Sequence, residues 1–461
     1  MTRKAIGDIA PARLPPEALA QNFGDVSPRL TRQAALVAAA RCLYCYDAPC
    51  ITACPTGIDI PTFIKGIATD NLRGAADEIL GANIFGGTCA RVCPTEILCE
   101  GSCVRMLDDH RAVEIGALQR YATDWVYEQG VQLFARGPES GRRVAIVGAG
   151  PAGLACAHAL SRAGHYVVVF DEKTKAGGLN EYGIAHYKML EFAQREIEWL
   201  LSIGGIEIVT GQALGRELSL AKLRDFFDAV FLAMGLGAVN ALGLEGEGMP
   251  GVYDAVDFIA TLRQSPDFAA LPVGRRVVVI GGGNTAIDAA VQSRKLGAES
   301  VTMVYRRGAE SMSATSAEQD FARSEGVHVI HWAAPRRLIA AKGVLTAIEF
   351  EHTRTDASGK LLGCGEGFTL EADNVLKAIG QLFEPGALDG GAATLAMSGG
   401  RIAVGDDHAT SIPGVYAGGD CIAGGIDLTV QAVEHGKRAA RAIDQMLMRE
   451  GAAFARGEAL A

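Results

Sequence analysis

The sequence predicts an α/β protein with an all-α N-terminal domain, and three observations carry that reading. A strand, a glycine-rich turn, a helix and a second strand follow one another from Arg142 to Glu172, and the same order returns from Arg275 to Arg307. Each is the texture of a parallel, dinucleotide-binding unit of Rossmann type. Ahead of them lie about 135 residues with few strand signals, and eight of the chain's 11 cysteines fall there, between positions 42 and 103. At about 100–200 residues per domain, 461 residues fit two to four domains. With 49% hydrophobic and 21% charged residues, the composition excludes disorder, collagen and coiled coil.

The N-terminal region reads as helical because apolar residues recur at three- and four-residue intervals, notably from Pro28 to Ala40 and from Leu118 to Gln129. The net charge of −10 has the wrong sign for a chain whose main partner is a nucleic acid or an anionic membrane. No apolar run approaches the ~18–20 residues of a membrane span, and the first 26 residues lack the continuous apolar core of a secretory signal. A cytoplasmic protein is expected. There, clustered cysteines point to metal and not to disulfides.

In the first unit RRVAIV is a buried strand, LACAHALSRAG a helix and HYVVVFDE a second strand. The turn between them holds Gly148, Gly150, Pro151, Ala152 and Gly153, where a tight bend lets the backbone approach a pyrophosphate that rests on a helix N-terminus. Asp171 closes the next strand, the position that holds a ribose hydroxyl. A plain strand–turn–helix connection is the competing reading of the glycines alone, and strand context with the acidic residue argues against it. Gly177-Gly178 and a late Gly418-Gly419-Asp420 then favour FAD, because they resemble the motifs of flavin-dependent oxidoreductases with two dinucleotide sites. That resemblance places Asp420 on the ribityl chain. It also aims the N-terminal dipole of a helix beginning near Thr429 at the flavin pyrimidine ring.

In the second unit Gly281, Gly283, Asn284 and Thr285 form a second cradle for the nicotinamide nucleotide, NAD(H) or NADP(H). Two short apolar runs, 228–235 and 374–380, each end on glycine once per repeat, the second at Gly380. Where an NAD-selective site places a carboxylate, the sequence has Arg306 and Arg307. Two guanidinium groups suit a 2′-phosphate, while a solvated strand end is the alternative. The flavin domain is expected to be split by the nicotinamide one. The expected boundaries are 1–135 for the cysteine domain, 136–245 and 381–461 for the flavin domain, and 246–380 for the nicotinamide domain.

The cysteines run Cys42-x2-Cys45-x4-Cys50-x3-Cys54-Pro55 and Cys89-x3-Cys93-Pro94-x4-Cys99-x3-Cys103. Ferredoxin-type runs put three cysteines on one iron–sulfur cluster and cross the fourth, before proline, to another. Eight thiolates would ligate two [4Fe-4S] clusters by that logic, Cys89 included. A four-thiolate zinc site is the alternative. A non-enzymatic scaffold would be its corollary. Cys156, Cys364 and Cys421 stand apart as core or loop thiols.

From about residue 35 to 445, the cysteine field, the stretch EIGALQRYATD, both glycine loops and GGDC resemble the N-terminal half of dihydropyrimidine dehydrogenase. Glutamate synthase small subunits share the layout, with a carboxylate at the position matching Gln119. The resemblance implies one cluster on Cys42, Cys45, Cys50 and Cys103 and another on Cys54, Cys93, Cys99 and Gln119, which leaves Cys89 out. Ser313 matches a position that is basic in the single-chain enzyme, which counts against NADP. It further implies a separate FMN-containing iron–sulfur partner that reduces uracil or thymine, since a chain ending at Ala461 leaves no room for the pyrimidine site. Hydride would enter at FAD and single electrons leave through the clusters, in a hetero-oligomer, with no acid–base catalytic residue required. A glutamate synthase small subunit feeding an amidotransferase is the alternative.

Overall fold

The central apolar strands must be covered on both sides, and they lie within two five-stranded parallel sheets. The computed structural model describes residues 8–384, 388 and 395–455. In the first sheet the strands lie in the order Val415–Ala417, Ala229–Leu232, Arg143–Val147, Tyr166–Asp171 and Ile206–Thr210. In the second the order is Val252–Asp254, Asn374–Lys377, Arg276–Ile280, Ser300–Tyr305 and His328–His331. The two runs ending on glycine occupy equivalent places, each paired in parallel with the strand that feeds its glycine loop. In the chain the whole second sheet falls between Ala229–Leu232 and Val415–Ala417, so one dinucleotide-binding fold is inserted in the other.

Two compact units result. One gathers the described residues of Met1–Val26 with Tyr182–Leu190 and Ala238–Leu382, and the other takes the helical region and the first sheet. Composition gave no sign that the first 26 residues and the 182–190 segment belong with the second sheet. Tertiary contacts hold them there: the Phe23 and Phe268 rings meet tilted at 44° with centroids 4.5 Å apart, and Lys188 pairs with Asp288 at 2.9 Å and Glu318 at 2.7 Å.

A three-stranded antiparallel sheet, Ala333–Ala341, Val344–Thr355 and Leu361–Glu371, was not anticipated. Its one clear signal is Lys342-Gly343, both at positive φ, which turn the first hairpin. The glycines and exposed polar residues of the third strand hide the alternation.

In the helical region, helices Arg32–Ala39, Ile60–Ala68, Leu72–Ala82 and Ile115–Gln129 bury Ala35, Phe63, Ile64, Ile79 and Leu118 in one core. Full burial of each large side chain contributes about 1.5–3 kcal/mol. Thr31 caps the first of these helices through Ala34 N–H, so it begins after Pro28 and not at it. The Ile115–Gln129 helix begins before Leu118 and stops at Gly130, which adopts φ +60°. The same core packs against Cys42, Cys50, Cys54, Cys99 and Cys103. Among the described residues no helix is long and apolar enough to cross a membrane.

Candidate functional site: a flavin-type glycine cradle and two cysteine-lined cavities

Three motifs far apart in sequence meet at the N-terminus of helix Pro151–Arg162. Gly148 sits at φ +105°, and a Cβ there would lie 2.2 Å from the Ala233 carbonyl oxygen, so only glycine fits. Gly177 N–H donates to Ala149 O at 2.8 Å. A Cβ on Gly178 would come 2.8 Å from Gly150 Cα, and one on Gly419 would come 3.1 Å from Ala152 Cβ. Pro151 occupies the first turn and no side chain caps the helix, which leaves its N–H groups for an anion. The cradle therefore fits a dinucleotide pyrophosphate.

Asp171 is nearly buried, and its two oxygens accept from Ala149 N–H at 2.7 Å and Lys173 N–H at 2.8 Å. It thus fixes the glycine loop. Burial, and then the neighbouring Asp427, push the Asp420 carboxyl up to about 6 against the pull of Arg401. Thr429 opens helix Thr429–Ala455 and its hydroxyl bonds Asn180 Oδ1 at 2.9 Å. That helix approaches helix Pro151–Arg162 backbone to backbone, since a Cβ on Gly436 would lie 2.2 Å from Ala152 O.

The cysteines divide between two cavities. Cys42, Cys45, Cys50 and Cys103 line the first, together with Leu43, Ile60 and Arg105. Cys54, Cys89, Cys93, Cys99 and Gln119 line the second, with Asn83, Ile60 and Val430. Tyr44, between the first two cysteines, holds φ +52°, a conformation that costs a non-glycine residue about 1–3 kcal/mol.

Desolvation and then the neighbouring Cys103 and Cys42 push the Cys50 thiol up to about 11. A hydrogen bond with Cys89 and then burial push Cys93 well up, and burial and the adjacent Glu100 do the same for Cys99. Thiols that resist ionisation because of burial and one another suit a cationic centre that supplies the missing charge. Among the described residues no three His, Cys, Asp or Glu side chains converge closely enough to hold a single ion. A zinc site needs four donors within about 2.0–2.3 Å of one point. Sulfurs ranged around a cavity fit a cluster instead.

Gln119 is held in one orientation, because its Nε2 donates to Gly86 O at 2.7 Å. The amide oxygen is then its remaining polar atom, a neutral acceptor in a wall with four thiols. Cys89 is buried in the same wall. Cys156 and Cys421 are buried and Cys364 is exposed, and none of them lines either cavity.

In the other unit Gly281, at φ +149°, would place a Cβ 2.2 Å from Ala378 O, and Gly283 opens helix Asn284–Lys295 without a side-chain cap. Asn284 is exposed and Thr285 half-buried on its first turn. Ser313 lies over this loop, 3.1 Å from where a Cβ of Gly283 would be. Gly380 turns at φ +95° with its carbonyl bonded by Asn240. Arg306 is exposed and Arg307 half-buried at the end of strand Ser300–Tyr305.

Three residues escaped the sequence reading. Glu196 is fully buried and accepts from Gly87 N–H at 2.9 Å, Thr88 N–H at 3.1 Å, the Thr88 hydroxyl and Tyr127 OH at 3.0 Å. It caps helix Gly86–Val92, which leads into Cys93. Asn83 and Asn180 are buried with an amide nitrogen that has no partner among the described residues. A glutamate in an amphipathic helix and two asparagines beside glycine motifs carry no periodic signal.

Residues 19–131 match the family described as dihydropyrimidine dehydrogenase domain II, 4Fe-4S cluster, and residues 142–436 match pyridine nucleotide-disulphide oxidoreductase. The NAD-dependent dihydropyrimidine dehydrogenase subunit PreT of Salmonella typhimurium is 35% identical over 430 residues, covering 93% of this chain and 98% of that protein. The NADPH glutamate synthase small chain of Escherichia coli is 35% identical over 457 residues, covering 94% and 96%. The thioredoxin reductase of T. acidophilum superposes with a TM-score of 0.51 at 20% identity, over 67% of this chain and 99% of that one, which shows the fold. Cradles, cavities and relatives agree on an iron–sulfur flavoprotein that binds FAD, NAD(P) and [4Fe-4S] clusters, and the chain belongs to the pyridine nucleotide-disulphide oxidoreductase family, in the branch shared by dihydropyrimidine dehydrogenase PreT subunits and glutamate synthase small chains.

Proposed function

We propose that this chain is the electron-input subunit of a two-subunit dihydropyrimidine dehydrogenase, oxidising NAD(P)H and delivering electrons to an FMN-containing partner that reduces uracil or thymine. The observation that carries this reading over a glutamate synthase small subunit is Gln119. Its oriented amide sits among Cys54, Cys93 and Cys99, the ligand pattern that the resemblance assigns to dihydropyrimidine dehydrogenase. Those four residues would hold the inner cluster, and Cys42, Cys45, Cys50 and Cys103 the outer one.

FAD and the clusters would supply the conversion of a two-electron hydride into single electrons. The residues of this chain bind and orient. Gly148 to Gly153 and Gly178 offer N–H groups and space to the flavin pyrophosphate, Asp171 the ribose acceptor, and Asp420 the ribityl contact, while helix Thr429–Ala455 directs its N-terminal dipole at the ring. Val430, next to Thr429 on that helix, also lines the inner cavity, which supports an order of flavin, inner cluster, outer cluster. Gly281, Gly283, Asn284, Thr285 and Gly380 would seat the nicotinamide nucleotide. Arg306 and Arg307 would stand at its 2′ end, where they favour a phosphate.

The test is anaerobic turnover with uracil and either NADH or NADPH, with this chain alone and with an FMN pyrimidine-reducing subunit. Dihydrouracil is expected from the mixture and not from this chain alone. Uracil reduction by the single chain would overturn the split, and electron delivery only to an FMN amidotransferase would replace the pyrimidine reading with the glutamate one.

A further inference from the structure

Asn83 ends helix Leu72–Ala82 and is 0% exposed. Its own N–H donates to Ile79 O at 2.8 Å, and its Oδ1 accepts from Phe85 N–H at 3.0 Å. The second bond settles the amide orientation, because only the oxygen can accept it. Nδ2 is left with two N–H groups and no partner among the described residues. Buried amide groups are rarely abandoned in this way, since they lose their water without replacement. Asn83 lines the inner cavity with Cys54, Cys93, Cys99 and Gln119, so the acceptor is supplied by whatever fills that cavity.

We propose that Asn83 donates a hydrogen bond from Nδ2 to a sulfur of the inner cluster and thereby raises the reduction potential of that cluster. The inference rests on the ligand assignment proposed above. An N–H group directed at sulfide or thiolate stabilises the more negative, reduced cluster, and hydrogen bonding to sulfur is one of the levers that set such potentials. Gln119, a neutral ligand in place of a thiolate, acts with the same sign. The outer cavity has no asparagine or glutamine in its lining. The two residues together make the inner cluster the readier acceptor of an electron from the flavin.

The test is an anaerobic redox titration of the holoprotein followed by electron paramagnetic resonance, comparing wild type with Asn83→Leu and Asn83→Asp. Asn83→Leu is expected to lower the inner-cluster midpoint by about 59 mV, the one-electron equivalent of a tenfold change in its reduction equilibrium, with the outer signal unmoved. Asn83→Asp, which keeps the acceptor for Phe85, should lower it further because it adds charge. An unmoved midpoint in Asn83→Leu at full iron and sulfide overturns the proposal, even if Asn83→Asp shifts. Should neither variant assemble a cluster, wild-type protein grown with 15N-asparagine decides. A side-chain 15N coupling to the reduced inner cluster supports the hydrogen bond, and its absence overturns it. Wild-type protein with no acid-labile sulfide would instead sink the cluster reading itself.

Discussion

The two cysteine cavities share Ile60 in their walls and little else. Around the first, the intervening and following residues lie open to solvent, with Leu43 52%, Tyr46 98% and Leu107 86% exposed. Around the second, Asn83, Gln119 and Val430 are nearly or fully buried, and Val430 belongs to the helix that begins at the flavin-type cradle. The second adjoins the helix that begins at the flavin-type cradle, while the first has exposed side chains next to its cysteines. The cysteine spacing is nearly symmetric, so this asymmetry comes from the chain between and beyond the cysteines.

Removing one ligand from each cavity tests that asymmetry with the largest effect. Cys93→Ala should abolish the inner cluster and cut electron delivery to one-electron acceptors by more than the ~10–100-fold seen when outer-shell partners are lost. Reduction of the flavin by NAD(P)H, followed by the bleaching of its visible band in stopped flow, should persist. Cys50→Ala should leave both flavin and inner cluster reducible and remove only the last step, delivery to the partner subunit. Equal behaviour of the two variants, with both clusters lost or both retained, would erase the distinction between inner and outer.

Glu196 offers a second way to break the comparison, because it braces only the inner side. Glu196→Ala would strand two backbone N–H groups and the hydroxyls of Thr88 and Tyr127, all in the interior. Each buried donor left unsatisfied costs about 1–3 kcal/mol, so the loss is on the order of several kcal/mol. At about 2–4 °C per kcal/mol for a domain of this size, the thermal midpoint of the holoprotein should fall by roughly 10 °C. The inner-cluster signal should be lost on warming before the outer one. Glu196→Gln, which keeps an acceptor, should fall less, and simultaneous loss of both clusters would show that Glu196 does not act selectively.

The central strands of both sheets were legible in the sequence because they are apolar runs that lead into glycines nothing else can replace, as at Gly148 and Gly281, whereas the edge strands Ile206–Thr210, Val252–Asp254 and His328–His331 are short or interrupted by polar residues and were not. The presence of two cysteine groups was legible from the Cys-Pro pairs. What was not legible depends on packing alone. The 182–190 segment is tied to the helices beside the second sheet by a half-buried lysine with two carboxylates, and the antiparallel sheet has a half-exposed, glycine-containing strand that breaks period two. Asn83 and Glu196 act through hydrogen bonds to residues far along the chain or to the contents of a cavity. No local pattern encodes such a role.

The smallest expected effect bears on the eighth ligand, where spacing and resemblance disagree. Counting thiols by spacing alone includes Cys89, and the structure does put Cys89 in the inner wall, buried and hydrogen-bonded to Cys93. Yet a cluster needs four donors, and Cys54, Cys93 and Cys99 leave one place for either Cys89 or Gln119. Gln119 has its amide nitrogen engaged by Gly86 O, so its oxygen is held in place before any metal arrives. Cys89 lies within helix Gly86–Val92, and the resemblance leaves it out of the ligand set. Cys89→Ser should therefore retain full iron and sulfide per chain, with at most a small change in the inner-cluster signal. Gln119→Ala should alter that signal strongly. Loss of half the iron from Cys89→Ser, with Gln119→Ala unaffected, would give the eighth position to the thiol, and the inner cluster would then carry the same charge as the outer one.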